Sequence, residues 1–166
     1  MRVEIRPIEI KDKEILRKML GDYEEEITGK DEEYKYLDSY WEEKNRWPFF
    51  ILVDEKVAGF VLVNEHLILS EKAPPTQKAT AGQSKNVSEF YIKKEYRAKG
   101  IGREAALKIF ETFEGKWEVR EIKENPKARE FWLKVISAYT QGNFKEIEMD
   151  NEKWQGWVQT FDSFAL

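Results

Sequence analysis

The feature that most narrows the fold is a pair of apolar runs set almost end to end. Pro48-Phe49-Phe50-Ile51-Leu52-Val53 and Val57-Ala58-Gly59-Phe60-Val61-Leu62-Val63 are separated only by Asp54-Glu55-Lys56. Each run is short and rich in β-branched and aromatic residues, and the polar tripeptide supplies turn chemistry, so the pair reads as an antiparallel hairpin. A strand with one wet face alternates apolar and polar residues; these runs hardly alternate, so their sheet must be covered on both faces. Helical patterns are available to cover it. Asp12 precedes Ile15, Leu16, Met19 and Leu20, a second pattern spans about Tyr34 to Trp41, and Ile101, Ala105, Ile109 and Phe113 recur every four residues with Ala106 and Phe110 beside them. A fourth runs from Pro126 to Val135 with Pro in its first turn. Val3–Pro7, Val87–Ile92 and Trp117–Ile122 read as further strands, and Phe144–Met149 with Trp154–Phe161 as a closing hairpin about Asp150-Asn151-Glu152. The expected order is β-α-α-β-β-β-α-β-α-β-β, a mixed α/β sheet in a single domain over residues 1–166. Ser70 to Lys85, with Pro74-Pro75 and Gly82, is the one long loop, of the kind that is either functional or without order.

Composition removes several classes of function. The chain has no Cys, which excludes disulfide scaffolds, Cys-based zinc sites and thiol nucleophiles, and its single His, His66, leaves little for a metal site or a Ser-His-Asp triad. No metal is expected. No apolar run approaches the roughly 20 residues that span a bilayer. Met1-Arg2-Val3-Glu4-Ile5 reads as a strand and not as a leader, so the expected compartment is the cytoplasm, with no membrane partner. A net charge of −4 argues against a nucleic-acid partner.

The most informative segment is Lys93-Lys94-Glu95-Tyr96-Arg97-Ala98-Lys99-Gly100-Ile101-Gly102-Arg103, where a strand passes through a basic, glycine-containing turn into a helix. Free N–H groups and the dipole at a helix start favour an anion, and glycines let backbone approach a phosphate closely. Lys93 to Glu104 carries a net +3, leaving −7 for the rest of the chain. A Walker A loop is absent. Gly100-x-Gly102-x-x-Ala105, with Glu118 and Glu121 downstream, fits the loose dinucleotide pattern, but Lys93 to Lys99 separates it from the strand end and too little chain follows for a doubly wound sheet. The bland alternative is a glycine-rich helix start with solvated charges.

Arg97-Ala98-Lys99-Gly100-Ile101-Gly102 resembles the Arg/Gln-x-x-Gly-x-Gly/Ala signature of the GNAT superfamily of acyl-CoA N-acyltransferases. Arg6-Pro7-Ile8 followed by Asp12 is similar to the opening of that fold, and Asn125-Pro126-Lys127-Ala128-Arg129-Glu130-Phe131-Trp132 resembles its Asn-x-x-Ala-x-x-aromatic-aromatic block. The resemblance implies acetyl transfer from acetyl-CoA to a primary amine of a small molecule or peptide, by direct attack in a ternary complex. It implies that Phe90, Tyr91 and Ile92 offer backbone groups to the pantetheine arm. Ala98, Lys99, Gly100, Ile101, Gly102 and Arg103 would cradle the pyrophosphate, with Arg97 opening the motif and Trp132 in the second block beside the cofactor. The strands holding Val87–Ile92 and Trp117–Ile122 would be parallel neighbours that splay to admit the thioester. Asn125 would hydrogen-bond the pantetheine; an ordinary N-cap role explains that residue equally well on chemistry alone.

Acetyl transfer to an amine needs a neutral nucleophile, an oxyanion donor and a proton for the departing thiolate. Where many relatives have a proton-donating Tyr, this chain has Trp132, whose indole cannot serve as that acid. Tyr139 is the nearest substitute, with a packing role as its alternative, and thiolate departure with a proton from solvent is the other route. Glu89 and Glu118 are the candidate general bases, each with the alternative of pairing with Lys or Arg; His66 is a third. Asp22, Glu24, Glu25, Glu26, Asp31, Glu32 and Glu33 form an acidic stretch that suits a cationic acceptor or is simply a solvated face. Trp41, Trp47 and Trp132 line an acceptor pocket or fill core. A non-catalytic acyl-CoA-binding module is the alternative function, and a homodimer is left open.

Overall fold

The hairpin forms where the two apolar runs place it. Asp54 and Glu55 both take positive φ, 47° and 71°, the two-residue turn whose twist matches that of the strands it joins. It links β2 (Arg46–Val53) to β3 (Lys56–Asn64), and from Phe49 to Val53 and from Ala58 to Asn64 every residue is buried, as covering on both faces requires. The computed structural model describes residues 1–30, 34–69 and 84–164. Around the hairpin lie β1 (Val3–Pro7), α1 (Lys13–Thr28), α2 (Ser39–Glu42), β4 (Lys85–Ile92), α3 (Ile101–Thr112), β5 (Gly115–Ile122), α4 (Pro126–Thr140), β6 (Lys145–Asp150) and β7 (Gln155–Ser163). The expected order and the mixed α/β class are both observed: a seven-stranded sheet of order β1-β2-β3-β4-β5-β7-β6 in which β4 and β5 are parallel. The pairing of β4 with β5 covers Lys85–Val87 against Trp117–Val119.

The chain divides into two compact units, Met1–Val63 with Glu89–Ala105, and Asn64–Ser88 with Ala106–Leu166. In the first, Leu16, Met19 and Leu20 of α1 pack on Phe50, Leu52, Phe60 and Leu62 of the hairpin together with Tyr91. In the second, Phe110 is the hub: its ring lies 5.2 Å from Trp117, 4.8 Å from Phe161, 5.4 Å from Tyr139 and 6.2 Å from Trp132. Truncating Phe110 to Ala would cost about 3–5 kcal/mol on the usual scale for a buried aromatic.

The structure departs from the sequence reading in several details. The helical pattern from Tyr34 to Trp41 is regular only over Ser39–Glu42. Its first residues, Ser39, Tyr40 and Trp41, donate to carbonyls three residues back, so the tight turns that lead into it already put Leu37 and Tyr40 on one face. Ile15 sits off the buried stripe of α1 at 47% exposure. Lys85, read as the end of the loop, opens β4 and is buried with its ammonium over the Phe113 ring, a position that lowers its pKa by desolvation. Residues 70–83 of the expected loop lie outside the described residues. No described helix is long and apolar enough to cross a membrane.

Candidate functional site

The basic turn belongs to the first unit and follows β4 directly. Lys93 N–H donates to Ala58 O at 2.8 Å, closing the strand end onto β3, and a 3-10 turn at Lys94–Tyr96 carries the chain to Arg97. Ala98 and Gly100 then take left-handed conformations, φ 60° and 80°, on either side of Lys99. The first bond into α3 runs from Glu104 N–H to Gly100 O at 3.1 Å. The amides of Ile101, Gly102 and Arg103 therefore precede any intrahelical acceptor. Left-handed residues within a turn gather successive N–H groups into an anion-binding concavity, and the helix dipole adds to it. A Cβ at Gly100 would meet no atom of the described residues within 4 Å, so conformation and not space calls for glycine there.

Arg97 is not a free cation. Its Nε donates to Ile92 O at 2.8 Å, and Nη1 and Nη2 donate to the two carboxylate oxygens of Glu26 at 2.6 and 2.8 Å. The guanidinium also lies over the Tyr91 ring, 5.5 Å from its centre. The pair holds the Glu26 carboxyl below the usual carboxylate range and raises the Arg97 pKa. Glu26 thus leaves the acidic stretch as the partner of the turn, a link of 71 residues that no local pattern announces. Asp31, Glu32 and Glu33 of that stretch lie outside the described residues.

Behind the turn, Gly59 of β3 permits a close approach: a Cβ there would sit 2.0 Å from Tyr91 O. Tyr91 is buried, with Phe90 and Ile92 half-buried beside it. Tyr23, Phe60 and Tyr91 form a ring cluster with centres 5.6 to 5.9 Å apart. Glu89 is half-buried and accepts a hydrogen bond from the Tyr23 hydroxyl, whose pKa is pushed well up by burial and then by the Glu89 carboxylate. Sequence alone gave no reason to single out Tyr23.

The other candidates belong to the second unit. Both Glu118 oxygens accept backbone N–H groups, from Ile68 at 2.9 Å and Leu69 at 2.8 Å, and the residue is buried. Asn125 caps α4, its Oδ1 accepting from Ala128 N–H at 3.2 Å. Trp132 is buried beside Phe110 and Phe131. Tyr139 packs on Phe110 and Phe161, and its hydroxyl oxygen accepts from Phe164 N–H at 3.1 Å. His66 is exposed, and Trp41 donates its indole N–H to Ile8 O at 3.0 Å in the first unit.

A buried polar cluster in the second unit escaped the sequence reading. Gln159 Nε2 donates to Glu121 at 2.7 Å and to Glu146 at 2.8 Å, and Arg129 grips Glu146 with two bonds of 3.1 and 2.5 Å while lying 4.6 Å over the Trp157 ring. Burial raises the Glu121 pKa to about 8. Glu121 Oε2 and Gln159 Oε1 have no partner among the described residues, and a proton retained on Glu121 turns its oxygen into a donor.

The fold is shared with known proteins. The chain resembles an acetyltransferase of Thermus thermophilus (16% identity, 98% of this chain and 97% of that one, TM-score 0.70). It resembles the PaiA N-acetyltransferase of Thermoplasma acidophilum in complex with coenzyme A (17%, 98% and 99%, TM-score 0.60). A third likeness is to the spermidine N-acetyltransferase of Vibrio cholerae in complex with CoA and spermine (15%, 97% and 95%, TM-score 0.62). No curated protein matches the chain in sequence. The model of the acetyltransferase (GNAT) family matches residues 13–136, spanning the turn and the Asn125 block, and the chain belongs to that family.

Proposed function

We propose that the chain transfers acetyl from acetyl-CoA to a primary amine of a small molecule. The observation that carries this reading is the turn itself: left-handed Ala98 and Gly100 leading into the amides of Ile101, Gly102 and Arg103, which have no acceptor within their own helix, make a cradle suited to a pyrophosphate. Acetyl-CoA supplies the acyl group as an activated thioester. Backbone of Phe90, Tyr91 and Ile92 is the proposed support for the pantetheine arm, and the cradle from Ala98 to Arg103 for the phosphates. Asn125 already serves as an N-cap and is proposed to contribute through the start of α4.

Of the two candidate bases, Glu89 is preferred. Glu118 spends both oxygens on backbone amides, whereas Glu89 is half-buried and held by Tyr23, which supports Glu89 as the group that takes a proton from the acceptor ammonium, directly or through water. The Tyr139 hydroxyl oxygen accepts from Phe164 N–H, and Tyr139 is the proposed acid for the thiolate. With no Cys in the chain, direct attack by the amine is favoured over a Cys-bound acyl intermediate. The spermidine enzyme that resembles this chain binds spermine, which makes a polyamine-like acceptor the first choice.

Calorimetric titration with CoA tests the cradle, and Gly102→Glu, which puts a carboxylate into it, is expected to weaken CoA at least about a hundredfold. Undiminished affinity would show that the cradle lies elsewhere. A second reading, a non-catalytic acyl-CoA binder, is favoured by Trp132, which is buried and which the motif resemblance aligns with the usual acid. Release of free CoA in a screen of polyamines and aminoglycosides excludes that reading; CoA binding with no turnover across the screen supports it.

A further inference from the structure

Ala98 is a non-glycine residue in a left-handed conformation, on an exposed turn, at a cost of about 1–2 kcal/mol. Such a residue persists only where its surroundings over-determine it. On its C-terminal side the constraint is α3, entered through Gly100. On its N-terminal side it is Arg97, fastened at three points: Nε to the last carbonyl of β4, and two N–H groups to Glu26 in the final turn of α1. The Tyr91 ring supports the guanidinium plane from the end of β4. α1 is itself anchored by buried Leu16, Met19 and Leu20, so Glu26 is a fixed post and not a loose side chain.

We infer that Glu26 is a positioning residue for the cofactor: by clamping Arg97 against α1 it fixes the turn whose amides hold the pyrophosphate. The inference rests on the acetyl-CoA reading above. It assigns opposite effects to the charge and to the contact. A carboxylate beside an anion site repels a phosphate ligand, so removing its charge alone would tighten binding. Removing the clamp loosens the turn and weakens it. Arg97 correspondingly acts through the backbone that follows it, with its forked donors committed to Glu26.

The test is calorimetric titration of CoA into wild type, Glu26→Gln, Arg97→Gln and the double variant, with acetyl-CoA kinetics alongside. Glu26→Gln is expected to weaken CoA roughly tenfold and to raise KM for acetyl-CoA with kcat unchanged. The double variant should bind no more weakly than Arg97→Gln alone, because Glu26 works only through Arg97. Arg97→Lys, which keeps the charge but not the fork, should show the same roughly tenfold loss. Binding by Glu26→Gln as tight as wild type or tighter overturns the inference, as do full additivity in the double variant and full-strength binding by Arg97→Lys. A wild-type protein that takes up no CoA overturns the acetyltransfer reading, and this inference with it.

Discussion

Two arginines in this molecule look alike and differ in consequence. Arg97 and Arg129 each fork onto a glutamate and each lie over an aromatic ring, Tyr91 or Trp157. Among the described residues the partnership around Arg97 stops at Glu26, whose side chain is 35% exposed, so water and salt reach both members. Around Arg129 it continues inward, through Glu146 to Gln159 and Glu121, which are 0% and 3% exposed. An exposed pair contributes little to stability and can direct a loop; a buried network fixes a core because leaving any member unpaired is expensive. On our proposal, the same local chemistry positions a binding turn in one unit and specifies packing in the other.

The largest effect expected from this contrast concerns Glu121. Its folded pKa, about 8, lies above the ordinary 4.5, so the folded state holds a proton that the unfolded state releases. Its favourable contribution is complete below about pH 4.5 and is lost as pH rises to about 8, by up to roughly 4 kcal/mol. Glu26 and Glu146 have depressed pKa values, so their contributions fall away only in acid, below this window. Glu121→Gln supplies a permanent donor in place of the retained proton. Denaturant unfolding across pH 5 to 8 should show wild type weakening and this variant nearly flat; parallel profiles would break the contrast at its buried end.

Gln159→Leu strips the shared donor from two carboxylates and should cost about 3 kcal/mol at neutral pH. In the first unit, Gly100→Ala forces a side chain into left-handed backbone and should lower unfolding free energy by about 1 kcal/mol. Glu26→Gln should move stability by no more than about 0.5 kcal/mol, against its larger effect on CoA. A stability loss from Glu26→Gln comparable to that from Gln159→Leu would mean that the two arginines do the same job after all.

Much of this was legible along the chain. The β2–β3 hairpin, the helical stripe of α3 and the glycine turn are governed by neighbours within a few residues, so periodicity and turn chemistry suffice to find them. Positive φ at Gly100 follows from the same local logic. Pairings set by folding are a different matter. Glu26 and Arg97 meet across 71 positions, Glu121 reaches Gln159 because β5 and β7 run antiparallel with Val119 opposite Gln159, and Tyr23 finds Glu89 from α1. Glu118 and Glu121 were equivalent as letters on one strand. The first is wired to backbone amides and the second is raised by burial, a distinction made by what folds over them. The pattern from Tyr34 to Trp41 misled because turns of three residues reproduce the spacing of a helix face.

Gly59 carries a last consequence, for how such a chain can change. With Tyr91 O only 2.0 Å from where a Cβ would stand, no larger residue fits without moving the strand that ends at the basic turn. A saturation library across β3 should therefore return a codon frozen at glycine among positions that trade one apolar residue for another. Substrate preference can drift through side chains elsewhere; the backbone that supports the turn has no neighbouring sequence to drift into.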